Sequence, residues 1–319
     1  MPQPKVKLVV TGDDFGYCPK RNQGIVDCFQ AGGISNVSLL VNASAAEEAG
    51  VLAKRHHIPI GLHANLSEGV PVCQSLKQRS STLLNQEGFF LGKMGFRKAL
   101  QNGHLNMAEV ELELRAQVRL FEELIGHLPC HMDGHQHVHV LPEVREVFAQ
   151  VLSDFGILYT RVPVEAGLHA CSWLSPPLQD FYTQVEKDAQ EAAPVFRRHG
   201  IRWPDVYLGL TTMGQNMSLP NLKRALGYAM EGHLSPPVGH GGVASSSSLF
   251  SAAQRAPLTA ELMVHPGYPS RPQEGGCGQG PDEFSCSAER QLELSALTQP
   301  LLLDFYSQER IQLCAFKDL

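Results

Sequence analysis

With 319 residues, 43% of them hydrophobic and only 18% charged, the chain can build one large buried core or two small ones, which excludes a disordered segment. A net charge of −6 gives no electrostatic case for nucleic acid or an anionic membrane as partner. The apolar run Leu8 to Val10 behind Lys7 is too short for a signal-peptide core, and no later stretch approaches a membrane span, so a soluble, intracellular, cytoplasmic protein is expected.

The elements, taken in chain order, repeat as strand, loop, helix. Residues 5–10 read as a short buried strand, apolar and β-branched, stopped by Thr11-Gly12. A helix is predicted over 21–31, with Ile25, Cys28 and Phe29 on one face and Gly32-Gly33 as its stop. Residues 38–42 form a second strand, 45–56 a helix, and 58–63 a third strand that ends in His63. Residues 67–105 are less regular and read as an excursion from the pattern. The strongest amphipathic helix is 107–125, where Val110, Leu114, Val118 and Phe121 make a stripe and Glu111 faces Arg115 one turn on. The segment from His131 alternates as a strand, and Pro142 is expected to open a helix carrying Val144, Val147, Phe148 and Val151. Further strands are predicted at 157–162, 205–210, 261–264 and 311–316, with a helix at 218–230 and two short helices in the tail. The eight cysteines are scattered without a C-x-x-C pair, and several, such as Cys28 and Cys314, sit in apolar stretches, so free thiols are expected.

Alternating strands and helices imply an α/β fold with parallel strands, where a site belongs at the carboxyl ends of the strands. Six or seven such units suit one barrel-like domain over residues 1–319. Residues 232–257, with PPVGHGG and the serines at 245–248, read as a flexible loop inserted into it.

Metal-type residues gather at the predicted strand ends. His131, Asp133, His135, His137 and His139 recur at every second position, so an extended segment points them to one side. Such a face is costly as core, because every polar group needs a partner, but imidazole readily ligates first-row metals. A solvated histidine tract is the plainer alternative, and the strand-like Val138, Val140 and Leu141 weigh against it. One ion cannot take all four histidines, so some of them must orient the others. Asp13 and Asp14 follow the first strand, and adjacent carboxylates in an extended turn point different ways. One can bind a metal while the other acts as a base, with helix capping as the competing role. His63 and His265 each close a strand. Arg161 is either a surface ion-pair former or an orienter of an acidic residue.

On these residues the chain resembles the YdjC-like carbohydrate deacetylase family. The likeness rests on Thr11-Gly12-Asp13-Asp14-Phe15-Gly16, Gly61-Leu62-His63-Ala64-Asn65-Leu66, His131 to His139 followed by Pro142, Arg161-Val162-Pro163, His265-Pro266-Gly267 and the segment Arg290 to Leu297. It implies a single distorted TIM-like (β/α) barrel that removes N-acetyl groups from amino sugars or short oligosaccharides with one divalent ion. By position, Asp14, His63 and His135 would be the metal ligands, Asp13 the general base, and His265 a catalytic partner. Arg161, His131, Asp133, His137 and His139 would support the ligands or touch substrate. The family implies Mg2+, whereas the imidazole-rich set suits Zn2+ or another transition metal. The expected partner is an acetylated sugar, and homodimerisation is left open. Two departures bear on the substrate: Gly134 stands where the family usually has Ser, and the loop at 232–257 is longer than expected. A sugar-binding protein without activity, or another barrel metal hydrolase such as a phosphoesterase, would share much of this pattern. Phosphate chemistry would favour two metals and basic clamps, and only Arg161 stands out as one.

Overall fold

The computed structural model describes residues 3–78, 80–234 and 256–319. Seven parallel strands form one sheet: β1 (Val6–Phe15), β2 (Asn36–Leu39), β3 (Ile60–Ala64), β4 (Met132–Gly134), β5 (Val206–Leu208), β6 (Leu258–Val264) and β7 (Ile311–Leu313). Their order is β4-β3-β2-β1-β6-β5, with β7 paired to the start of β1. Strands from both ends of the chain therefore meet at β1. The helices between them are α1 (Pro19–Gln30), α2 (Ala46–His56), α3 (Gln74–Lys77), α4 (Lys93–Gln101), α5 (Met107–Ile125), α6 (Val144–Phe155), α7 (Pro176–Arg198), α8 (Leu219–Leu234), α9 (Glu283–Cys286), α10 (Glu289–Leu297) and α11 (Pro300–Gln308).

Val6 and Leu8 to Val10 of β1 are all buried, as expected of a parallel sheet covered on both faces. The sheet curls, and its two outer strands approach one another through single residues. The Met132 N–H donates to the Tyr159 carbonyl, and Tyr159 bridges to Arg202 just ahead of β5. The expected barrel is thus observed as a curled parallel sheet, in which 157–162 supplies one bridge where a full strand was predicted.

Helix α5 matches its prediction. Asn106 accepts from the Ala108 N–H at its start, Gly126 ends it in the left-handed conformation, and Val110, Leu114, Val118 and Phe121 are buried. Other elements differ. The 23-residue α7 was not predicted at all, although two prolines open it and Tyr182, Val185, Ala189, Ala192 and Phe196 bury one face. Polar neighbours and Pro194 inside the helix mask that stripe. The irregular 67–105 contains α3 and α4, and α6 starts at Val144, two residues after Pro142. The loop expected at 232–257 overlaps the end of α8, and its residues 235–255 lie outside the described residues. All eight cysteines are free, and no helix among the described residues is long and apolar enough to cross a membrane.

Candidate metal centre

Strand register assembles the site. His63 on β3 is level with Asp133 on β4, so both side chains emerge on one side, and His63 Nδ1 donates to Asp133 Oδ1 at 2.5 Å. Ser38 Oγ donates to the same oxygen at 2.8 Å. On the other flank Gly12 of β1 is level with Val264 of β6, which sets Asp13 beside His265 one step further on. Asp13 and Asp14 do not follow the first strand, as expected from sequence, but lie inside it. Between the pairs Gly12–Val37 and Phe15–Leu39, β1 has two residues where β2 has one, and Asp14 takes a φ of 61° in this bulge. The bulge separates the two carboxylates. Asp13 accepts from Arg161 through both oxygens, at 2.7 and 2.9 Å, while Asp14 Oδ2 accepts from Arg21 at 3.3 Å.

Asp14 Oδ1, His63 Nε2 and His135 Nδ1 converge on one point. Asp14 Oδ1 lies 3.2 Å from His135 Nδ1 and 3.6 Å from His63 Nε2, and the two nitrogens are 3.3 Å apart. Ligands about 2.1 Å from one ion stand roughly 3.0–3.4 Å from each other, so the spacing fits a divalent cation. Asp14 Oδ1 is buried without a hydrogen-bond partner, as a ligand oxygen kept for an ion would be. The outer nitrogen of each ring is held by a carboxylate, His63 Nδ1 by Asp133 and His135 Nε2 by Glu68 Oε2 at 3.0 Å. Tyr17 donates its O–H to the other Glu68 oxygen at 2.8 Å.

The electrostatics agree with a cation site. Burial alone would raise the Asp14 carboxyl, but His135 and Arg21 hold it well below the usual carboxylate range. Burial would likewise depress His135, yet Asp14 and Glu68 push it up to about 10. Asp133 is also held well below its ordinary value, because Arg161, His63 and His131 outweigh its burial. Arg161 itself is fully buried among Asp13, Asp133 and Glu261, at 2.7, 3.2 and 2.8 Å. It is therefore not the surface ion-pair former that was one of its two readings from sequence.

The 131–139 segment is not the one-faced strand that alternation suggested. After β4 the chain tightens into a 3-10 turn over His135–Val140, in which Gln136 and His137 both adopt left-handed φ, 54° and 60°. Two such residues in a row cost about 1–2 kcal/mol each, and they scatter the imidazoles. His135 reaches the ligand cluster and His137 lines the cavity beside it. His139 drops beneath, donating through Nε2 to the Arg161 carbonyl at 2.9 Å between Phe148 and Phe196. Its burial pushes it down to about 4. His131 stacks on Phe316 at 4.1 Å and is fully buried, as is His139, so neither can touch a substrate. Gly61 makes room for it, since a Cβ there would stand 2.1 Å from the His131 ring.

Gly134 has the same kind of cause. A Cβ at this position would meet His139 Nδ1 at 2.7 Å and its backbone nitrogen at 2.8 Å. The turn that follows β4 is packed against a bare backbone. Gly134→Ser is therefore expected to destabilise this protein by about 1–3 kcal/mol, as overpacking does. Urea unfolding checks this, and an unchanged midpoint would mean that His139 can withdraw freely.

The cluster opens on a cavity of about 260 Å³, lined by Asp13, Asp14, His63, His135, His137, Arg161 and His265 together with Lys93, Tyr182, Phe284 and Arg290. His265 Nε2 lies 4.0 Å from Asp13 Oδ2. Burial and the nearby Arg290 keep the His265 ring well below its ordinary value, so it is neutral. Glu68, Tyr17, Arg21 and Glu261 were not anticipated. Tyr17, Arg21 and Glu261 are buried beside the cluster and the Glu68 side chain is 15% exposed, and only this placement in the fold identifies them. Tyr17 directly follows the Thr11–Gly16 motif and Glu68 lies three residues beyond Asn65 of the GLHANL segment, so these two stand nearest to a sequence signal.

A family model described as YdjC-like protein matches residues 7–308. A protein from Danio rerio named carbohydrate deacetylase is 67% identical over 318 residues, covering 100% of both chains. One from Homo sapiens with the same name is 51% identical over all of this chain and 93% of its own. A chitooligosaccharide deacetylase of Serratia marcescens is 36% identical over 45% of this chain and 55% of its own. Among solved structures, a candidate cellobiose-phosphate cleavage protein from Enterococcus faecalis V583 superposes with a TM-score of 0.66 at 18% identity, over 98% of each chain, a likeness of fold.

Proposed function

We propose that this chain, which belongs to the YdjC-like family, is a metal-dependent carbohydrate deacetylase that hydrolyses the N-acetyl groups of amino sugars or short oligosaccharides. The names of its relatives support the reaction class. The observation that carries the mechanism is the convergence of Asp14 Oδ1, His63 Nε2 and His135 Nδ1 beside Asp13 and His265 at the mouth of one cavity. Residues 1–319 act as one catalytic domain in this reading.

Asp14, His63 and His135 would hold the ion. Two imidazoles and one carboxylate leave coordination positions for water and substrate, and they favour zinc or a neighbouring transition metal over magnesium. Such an ion supplies Lewis acidity to the acetyl carbonyl and to water. Asp133 and Glu68 fix which nitrogen of each ring faces inward. Asp13, held by Arg161 in one orientation, takes a proton as water adds to the carbonyl carbon. The tetrahedral carbon then expels the sugar amine, which receives that proton from Asp13 as acetate forms. His265, neutral in its buried position, donates an N–H to the oxyanion, the role its depressed pKa favours over proton transfer to the amine. Arg161, the one cation that sequence offered as a phosphate clamp, is surrounded by three carboxylates, which argues against a phosphoesterase.

Purified protein incubated with N-acetylglucosamine oligomers is expected to release acetate, to stop when a chelator is added, and to resume when zinc is restored. Sugar binding without acetate release from any acetylated sugar would identify a binding protein instead.

A further inference from the structure

Of the four imidazoles that line the candidate site, His63 and His135 are each oriented by a carboxylate on the outer nitrogen. His265 has no such partner: its Nδ1 is buried without a hydrogen bond. Its main chain is held instead. The His265 N–H donates to Glu293 Oε2 at 2.5 Å, and Arg290 Nη1 donates to the His265 carbonyl at 3.4 Å. The Arg290 carbonyl accepts from the Gly267 N–H at 3.2 Å, two residues further on. The second Glu293 oxygen accepts from the Gly214 N–H at 2.7 Å, in the loop after β5. The Arg290 guanidinium also lies 3.1 Å from the Phe284 ring centre, and Phe284 stands edge-on to the His265 ring at 5.9 Å.

Arg290 and Glu293 are one turn apart on α10 and both are buried, yet no ion pair joins them. Burying two charged groups costs several kcal/mol unless each is well partnered, and here each takes one main-chain group of His265 as a partner, the Gly214 N–H and the Phe284 ring supplying the rest. That residue stands just beyond the last β1–β6 ladder pair, Gly12 with Val264, where the sheet no longer fixes the chain.

We infer that Arg290 and Glu293 are positioning residues for His265, aiming its ring at the reacting carbonyl by gripping its backbone from both sides. This rests on the role proposed above for His265.

The test is a double-mutant cycle between Glu293→Gln and His265→Ala in the full chain. Gln cannot accept both N–H groups, so one must lose its partner. Glu293→Gln is expected to remain folded with unchanged zinc affinity and a KM within about 2-fold, while kcat falls roughly 10- to 100-fold through misplacement of the ring. In the His265→Ala background the same change should cost less than about 2-fold, because there is no ring left to aim. Arg290→Lys, which keeps the charge but withdraws the donor from the His265 carbonyl, should repeat the pattern. Equal losses in both backgrounds, wild-type kcat in folded Glu293→Gln, or unfolding of both variants would each overturn the inference and make α10 a structural staple. Wild-type kcat in His265→Ala alone would instead remove His265 from the mechanism, a failure of the earlier reading that this cycle separates from the first.

Discussion

Asp14→Asn is expected to lose zinc affinity by more than about 100-fold, beyond the roughly 10- to 100-fold typical of a supporting carboxylate. Turnover should fall by at least about 1000-fold, since the ion contributes several kcal/mol to the barrier and each 1.4 kcal/mol is a factor of ten. The oxygen at stake is Asp14 Oδ1, buried and without a hydrogen-bond donor, 3.2 Å from His135 Nδ1. An amide in its place carries no charge to offset the ion and can present its NH2 group to the two imidazoles. The other oxygen faces Arg21, which is fully buried, so the variant also leaves a guanidinium short of its counter-charge. His63→Ala and His135→Ala separate the two effects, because no contact joins either ring to Arg21. Isothermal titration with zinc on all three, with thermal melts alongside, is the measurement. Wild-type affinity in folded Asp14→Asn would remove this residue from the ligand set.

Asp13→Asn should behave in the opposite way, keeping the ion and losing the chemistry. A positioned general base contributes roughly 100- to 10,000-fold, so kcat should fall by that amount with zinc affinity and KM little changed. The competing explanation is structural. Asp13 is one of three carboxylates on the buried Arg161, and removing a partner from a buried pair costs about 3–5 kcal/mol. Asp133 and Glu261 remain, and the asparagine oxygen still accepts one of the two Arg161 hydrogen bonds, so the loss of stability should be at the lower end. Turnover measured well below the melting temperature of the variant distinguishes the two. Normal turnover in that protein would show that the proton goes elsewhere.

Much of the scaffold is local and therefore legible in sequence. The apolar run at the start of β1, the stripe and caps of α5, and the histidine that closes β3 each follow from the period of their own side chains and from the residues that stop them. The family motifs also lie in short segments, and Asp13, Asp14, His63, His135 and His265 all fall within them. Helix α7 is hard to read because its apolar stripe is diluted by polar residues and interrupted by Pro194, and it is stabilised by packing against α6 and the turn at His135–Val140.

The division of labour among the histidines was beyond local reasoning. An alternating pattern predicts one face, but two left-handed residues after His135 send His137 and His139 different ways, in a conformation where Ser67 and Arg97 bind Gln136 from outside the segment. The same holds for Glu68, Arg290 and Glu293, whose partners His135, His265 and Gly214 come from other parts of the chain. The parallel α/β plan and the residue types at the strand ends follow from periodicity and short motifs, which lie within single segments. The bulge in β1 that parts Asp13 from Asp14, and the register that brings Asp133 to His63, arise on folding, because register and burial are properties of neighbouring strands and not of any one of them.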